Sequence, residues 1–379
     1  MDVPRTLLVT NDYPPKVGGI QRTLHSLMRE LPPDRVTVLA PASDGSEVFD
    51  AGEAYRVVRD PRPFVWPTPA VRERVHDLIG RSGSQVVLFG DAMPLAALGP
   101  GVARAGTPYL VAAHGFDYWL SLVPGAHAWM RRVTSSAARV PVMCSEFIAR
   151  VVRTAVPAGV PVSVLYPGAD IQSFRPDLPT QDIVERHGVS DRPLVVCVSR
   201  LVPRKGQDVL IASMAEIRRR VPDATLLLVG EGPFRERLEA LAASAPSGSV
   251  VFAGQVSEDD LPRYYRAGHV FAMPCRSRAA GLEVEGWGNV FIEAASCGRP
   301  VVVGDSGGAR ESLVDGETGI LVNGSRRAEV ADAVACLLED PARAAAMGAA
   351  GRARVERDHT WPGIAERLAS WLRIAVERG

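Results

Sequence analysis

Glu285 and Glu293 stand eight residues apart in the stretch LEVEGWGNVFIE, among Val, Phe, Ile, Ala and Gly. Carboxylates are rarely buried without a partner, so the pair calls for cations, a helix terminus or ligand hydroxyls. Gly286–Trp287–Gly288–Asn289 is turn-like, and Asn289 is a suitable N-cap. Val290, Phe291, Ile292, Ala294 and Ala295 then read as a buried helix. This places Glu285 in the loop before the helix and Glu293 one turn inside it. Both can accept directional hydrogen bonds from sugar hydroxyls. A helix-dipole partner plus a structural salt bridge fits the same spacing.

The cations are unevenly chosen. Of 43 Lys and Arg residues only Lys16 and Lys205 are lysine, as a GC-rich genome would produce, so a persisting lysine invites a functional reading. In SRLVPRKGQD (199–208), Arg200 and Lys205 can converge on one anion. Two cations suit a diphosphate, whose charge grows as its bond to a sugar breaks; a solvated basic turn is the alternative. In TNDYPPKVGGIQRTLHSL (10–27), Gly18 and Gly19 precede a helical pattern whose N-terminus favours anions. The spacing is neither G-x-G-x-x-G nor G-x-x-x-x-G-K-[ST], which disfavours a dehydrogenase or P-loop enzyme. His114, in AAHGFDYW, ends a strand where catalytic groups gather. It suits proton handling or a hydrogen bond to a hydroxyl, with Asp117 as the nearest carboxylate to orient it.

Positioning these residues requires strands that alternate with helices. Apolar runs at 6–10, 35–40, 55–59, 84–90, 108–114, 140–145 and 162–167 are strand candidates, with amphipathic stretches at 19–31, 69–81 and 145–154 between them. After PGADIQSFRPDLP (167–179) the grammar restarts: strands at 193–200, 225–232, 249–256, 270–274 and 301–305, helices at 206–220, 233–244 and 258–267, and a helical region from 327. The fold class is α/β, with two parallel-sheet units. In such sheets ligands sit beyond the carboxyl ends of the strands.

Bulk properties narrow the function. The 379 residues carry net charge 0, which argues against a nucleic-acid partner. No apolar run reaches the ~18 residues of a membrane span, and the N-terminus reads as a first strand rather than a signal peptide, so a cytoplasmic location is expected. The five cysteines are widely spaced and without C-x-x-C; reduced thiols and no structural zinc are expected. The absence of D-x-D and of a His/Cys cluster suggests that cations and helix termini handle a diphosphate without a metal.

Taken together, these motifs resemble glycosyltransferase family 4: retaining enzymes with the GT-B fold, two Rossmann-like domains facing a cleft. The specific part is E-x(7)-E at Glu285 and Glu293, with SRLVPRKG upstream. TNDYPPKVGGIQ, VFDAGEAYRVVRDP, RLVPRKGQD, FAMPCRSR and GDSGGARE look most like the actinobacterial GDP-mannose-dependent phosphatidylinositol mannoside mannosyltransferases. The resemblance implies an acceptor-side domain at 1–170, a nucleotide-sugar domain at 171–357 and a last helix at 358–379 crossing back. It implies that Gly18 and Gly19 meet the diphosphate, and that Arg200 and Lys205 neutralise it on departure. Glu285 would hold the donor sugar and Glu293 the ribose. Gly286, Gly288, Asn289 and Val290 would offer backbone amides, Gly254, Val256 and Glu258 would line the base pocket, and His114 would contact the transferred sugar. The donor would be GDP-mannose, the acceptor a glycolipid hydroxyl, with no cofactor and no metal. The chain departs from close relatives at Phe116–Asp117, Trp287 and Asn289. A basic face with Arg22, His25 and Arg29, and a patch at Trp129–Arg132, would suit peripheral contact with the inner face of the membrane; a plain solvated helix fits equally. A UDP-hexose transferase of the same family, a GT-B epimerase or phosphorylase, and a non-catalytic sugar-binding module are the alternatives.

Overall fold

The computed structural model describes residues 2–378. They form two compact units, one of residues up to Pro167 together with those from Trp361 onward, the other Gly168–Thr360.

The first unit runs β1 (Thr6–Val9), α1 (Gly19–Glu30), β2 (Val36–Pro41), α2 (Ser46–Ala51), β3 (Arg56–Asp60), α3 (Pro69–Ser82), β4 (Val86–Phe89), α4 (Gly99–Arg104), β5 (Tyr109–Val111), α5 (Gly115–Leu122), α6 (Pro124–Thr134), β6 (Val140–Val142), α7 (Glu146–Ala155) and β7 (Val162–Val164). Its parallel sheet has the order β3-β2-β1-β4-β5. Bridges at Leu110–Arg139 and Ala113–Val142 continue it into the β6–β7 pair. β1, β2 and β4 are buried along their whole length, as strands covered on both faces must be. The register sets Leu7 between Thr37 and Val87.

The second unit runs α8 (Gln181–Arg186), β8 (Leu194–Val198), α9 (Gln207–Arg220), β9 (Thr225–Val229), α10 (Arg235–Ala242), β10 (Val250–Gly254), α11 (Leu261–Ala267), β11 (Val270–Met273), α12 (Asn289–Ser296), β12 (Val301–Gly304), β13 (Gly319–Val322), α13 (Arg327–Glu339) and α14 (Pro341–Asp358). Its six parallel strands have the order β10-β9-β8-β11-β12-β13. The sequence does not announce β13: GILV is four residues long at the sheet edge, and its two central residues are only half-buried.

The last helix, α15 (Trp361–Arg378), packs in the first unit, where Trp361, Ile364, Leu368 and Leu372 share a core with Leu24, Leu27 and Met28 of α1. The units therefore part after 167 and 360 rather than after 170 and 357. Each sheet has one place where its winding reverses, between β1 and β4 and between β8 and β11. The crevice outside the strand ends at that point is where open α/β sheets bind ligands.

Candidate active site

In the second unit, β8 leads into a single 3-10 turn, Pro203–Lys205. Gly206 follows with φ 77°, and a Cβ there would stand 2.0 Å from the carbonyl oxygen of Pro274; only glycine fits. The turn delivers Lys205 to Glu285. Nζ donates to Oε2 at 2.6 Å, and both side chains are buried. Arg204 Nε lies 3.9 Å from the same oxygen. The Glu285 amide donates to Ser306 Oγ at 3.1 Å, and its carbonyl oxygen accepts from the Gly308 amide at 2.9 Å. Glu285 is thus held by its side chain and by both its backbone amide and its backbone carbonyl.

Arg200 is exposed. Its turn is set by Gln207, whose Nε2 donates to the Arg200 carbonyl at 3.1 Å and to Ser199 Oγ at 2.8 Å. The loop after β11 is tied to the same turn, since the Arg276 amide donates to the Arg204 carbonyl at 2.8 Å. The spacing does not reveal Gln207 or Ser306; a polar residue directly after the glycine that opens α9 was the available signal for the first.

The N-cap of α12 is Gly288, not Asn289. Gly288 sits in the left-handed region at φ 86°, and a Cβ would meet the Phe291 ring at 2.6 Å. Asn289 is the first helical residue instead. No side chain caps this terminus; the Phe291 amide donates to the Gly288 carbonyl at 3.0 Å, and the helix N-terminus favours an anion. One turn further, Glu293 is buried and its Oε2 accepts from the Tyr265 hydroxyl at 2.6 Å. Tyr265 belongs to α11, and nothing in the chain's spacing pairs it with Glu293. Trp287 is buried, its ring 5.4 Å from that of His359. Gly254 closes β10, Val256 packs half-buried on the core, and Glu258 is exposed.

In the first unit, Gly18 is the N-cap of α1 and Gly19 its first residue, with open space where a Cβ would stand on Gly19. Lys16 donates to the carbonyls of Pro63 and Asn11 at 3.1 and 3.4 Å. His114 ends the approach from β5 and is buried. Its Nε2 donates to the Gly90 carbonyl at 2.8 Å. Burial pulls its pKa down to about 4, against a smaller upward effect of that hydrogen bond. The imidazole is therefore neutral at physiological pH and suited to hydrogen bonding rather than to acid catalysis. The Asp117 carboxylate does not orient the ring: its Oδ2 accepts from the His114 amide at 2.6 Å, while the His114 side chain accepts from the Asp117 amide, a capping box that fixes the start of α5. His25 is not part of a free basic face either, because Nε2 pairs with Glu53 at 2.8 Å and the ring lies 5.1 Å from that of Phe49.

Two doubly wound parallel sheets, one of them carrying a buried Lys–Glu pair and an uncapped helix N-terminus at its switch point, are the architecture of the GT-B class. Residues 17–173 match the family model described as Glycosyltransferase Family 4, and residues 180–354 that of Glycosyl transferases group 1. The chain belongs to glycosyltransferase family 4. It is 44% identical, over 97% of both chains, to the GDP-mannose-dependent alpha-(1-6)-phosphatidylinositol monomannoside mannosyltransferase of Mycolicibacterium smegmatis. To the GDP-mannose-dependent monoacylated alpha-(1-6)-phosphatidylinositol monomannoside mannosyltransferase of Corynebacterium glutamicum it is 37% identical, over 97% of this chain and 98% of that one. Among solved structures, Anabaena HepE in complex with UDP and glucose superposes with a TM-score of 0.79 at 22% identity, covering 97% of this chain and 99% of that one. This last likeness is one of fold.

Proposed function

We propose that this protein transfers mannose from GDP-mannose, with retention, to a phosphatidylinositol monomannoside-type glycolipid. The observation that carries the reading is the 44% identity over 97% of both chains to a mannosyltransferase of that specificity, joined to a buried Lys205–Glu285 pair where a sugar diphosphate needs cations.

Each residue has a task in that reaction. Lys205 and the exposed Arg200 stabilise the departing diphosphate, whose negative charge grows as the glycosidic bond loosens. Glu285, anchored as described, accepts from donor-sugar hydroxyls while holding Lys205 in place. The amides of Gly286, Gly288, Asn289 and Val290 meet sugar and phosphate at the α12 terminus. Glu293, buttressed by Tyr265, accepts from the ribose hydroxyls, and Gly254, Val256 and Glu258 border the guanine. Gly18 and Gly19 offer the α1 terminus to the diphosphate, and neutral His114 hydrogen-bonds the transferred sugar. The acceptor hydroxyl attacks from the face the diphosphate leaves, and a phosphate oxygen takes its proton. A lipid acceptor places this work at a membrane surface, where exposed Arg131 and Arg132 provide basic contact. Among the described residues no helix is long and apolar enough to cross a membrane.

The test is donor binding and turnover across GDP-mannose, GDP-fucose, UDP-glucose and UDP-N-acetylglucosamine, with EDTA present. The expected result is selective turnover of GDP-mannose that EDTA leaves unaltered. Preference for a UDP-sugar would discard the donor assignment, and dependence on a divalent ion would discard the metal-free mechanism.

A further inference from the structure

A cavity of 330 Å³ opens at the winding reversal of the first unit, between the ends of β1 and β4. Such a volume lies within the range of about 300–1,000 Å³ that small-ligand sites occupy. Its lining divides into two kinds of surface. Asp12, Asp91, His114 and Asp117 form a polar floor. Phe64, Trp66 and Phe116 form an apolar wall, and they are 40%, 60% and 63% exposed, unusual for large rings. The Phe64 and Trp66 rings pair at 5.0 Å.

One group of the floor is only partly satisfied. Asp91 is 8% exposed. Its Oδ2 accepts from the Thr10 hydroxyl at 3.4 Å, but Oδ1 has no hydrogen-bond partner among the described residues. A buried carboxyl oxygen left without a partner costs free energy that a ligand hydroxyl recovers. Rotation about the Cβ–Cγ bond is broad and soft, so either oxygen can be presented to the cavity. Asp12 does not share the vacancy, since its Oδ1 already accepts from Gln21 Nε2 at 2.6 Å. A site with carboxyl groups beneath and aromatic faces beside it suits a ring that carries hydroxyls on its edge and C–H bonds on its faces.

We propose that Asp91 is a specificity-determining contact for the acceptor, hydrogen-bonding a hydroxyl of a polyol ring that packs against Trp66. This rests on the glycosyl-transfer reading above. The acceptor offers two such rings, a hexose and a cyclitol, and the chemistry is shared.

Two measurements test it on the full chain. The first is acceptor and donor KM for Asp91→Asn, which is nearly isosteric. The expected outcome is a rise of about tenfold in acceptor KM, the equivalent of about 1.4 kcal/mol, with donor KM moving less than twofold. Equal rises in both constants, or no rise in acceptor KM, would overturn the proposal. The second is saturation-transfer NMR of methyl α-D-mannopyranoside and of myo-inositol, which needs no turnover and stands even if GDP-mannose proves not to be the donor. One ring should show transfer that Asp91→Asn and Trp66→Ala each reduce severalfold, and which ring it is identifies the source. Trp66 is exposed, so its truncation leaves the fold intact even if the Asp91 variant folds poorly. Absence of transfer from both rings, or transfer that both variants leave unchanged, would reject the assignment.

Discussion

Lys205 and Glu285, separated by 80 positions in the chain, form a buried ion pair of 2.6 Å. Removing one partner leaves the other charge uncompensated. Lys205→Met should lower stability by about 3 kcal/mol, the lower end of the range for breaking a buried pair. It should also lower kcat more than it raises KM, by about a hundredfold or more, because the ammonium acts on charge that develops in the transition state. The double variant Lys205→Met/Glu285→Gln should regain much of the stability and none of the activity. Thermal melts and steady-state kinetics on all three proteins separate the roles; recovery of kcat in the double variant would reduce Lys205 to a structural residue.

Glu293 is the second carboxylate, and Tyr265 fixes its position through a bond of 2.6 Å. If the carboxylate holds ribose hydroxyls, Glu293→Gln should raise donor KM about tenfold. A donor built on deoxyribose should then lose affinity with the wild-type protein but little more with the variant, as expected of two changes that remove one interaction. Tyr265→Phe should give a smaller rise, of a few fold, because it loosens the carboxylate without discharging it. Additive losses from the deoxy donor and Glu293→Gln would show that Glu293 binds elsewhere.

The two sheets were legible because their strands are apolar runs bounded by turns, which is how strands buried on both faces must read. Glycine and cation positions at the β8–α9 turn were legible for the same local reason. What joins them was not. Lys205 meets Glu285, Tyr265 meets Glu293, and the Glu285 peptide is pinned by Ser306 and Gly308, all through contacts between elements distant in the chain. Local propensity carries no information on such pairings. The N-cap of α12 shows the limit at short range: Asn289 has the better capping side chain, but the chain enters the helix through a left-handed residue, and that backbone requirement selects Gly288.

Gly206 provides a test of backbone geometry alone. Its φ of 77° and the 2.0 Å approach to the Pro274 carbonyl leave no room for a side chain. Gly206→Ala should cost about 2–3 kcal/mol through strain and displacement. It should also lower kcat, since Lys205 is the preceding residue. Gly316→Ala is the control for strain alone, because φ is also positive, at 78°, but nothing lies within 4 Å; its cost should stay near 1 kcal/mol. Equal costs at the two sites would mean that the clash relaxes freely.

The acids beside His114 make the first unit sensitive to pH. Burial, with smaller contributions from Asp117 and Asp12, raises Asp91 to about 8. Burial likewise raises Asp117 to about 7, and Asp12 is raised by burial against the pull of Lys16. Carboxyl groups in the unfolded chain ionise near 3.8, so the folded state holds protons that the unfolded state releases. Their stabilising contribution is complete below that value and is lost as pH rises towards 7 and 8. His114 has the opposite sense: lowered from 6.5 to about 4, it contributes fully above 6.5 and loses that contribution as pH falls towards 4. Between pH 6.5 and 8 only the acids act, and the melting temperature should fall. Asp91→Asn removes one of these acids, so its melting temperature should gain on the wild type as pH rises from 5 to 8, by roughly 2–4 °C for each kcal/mol in a unit of this size. Parallel melting curves across that range would mean that Asp91 is ionised in the folded protein throughout.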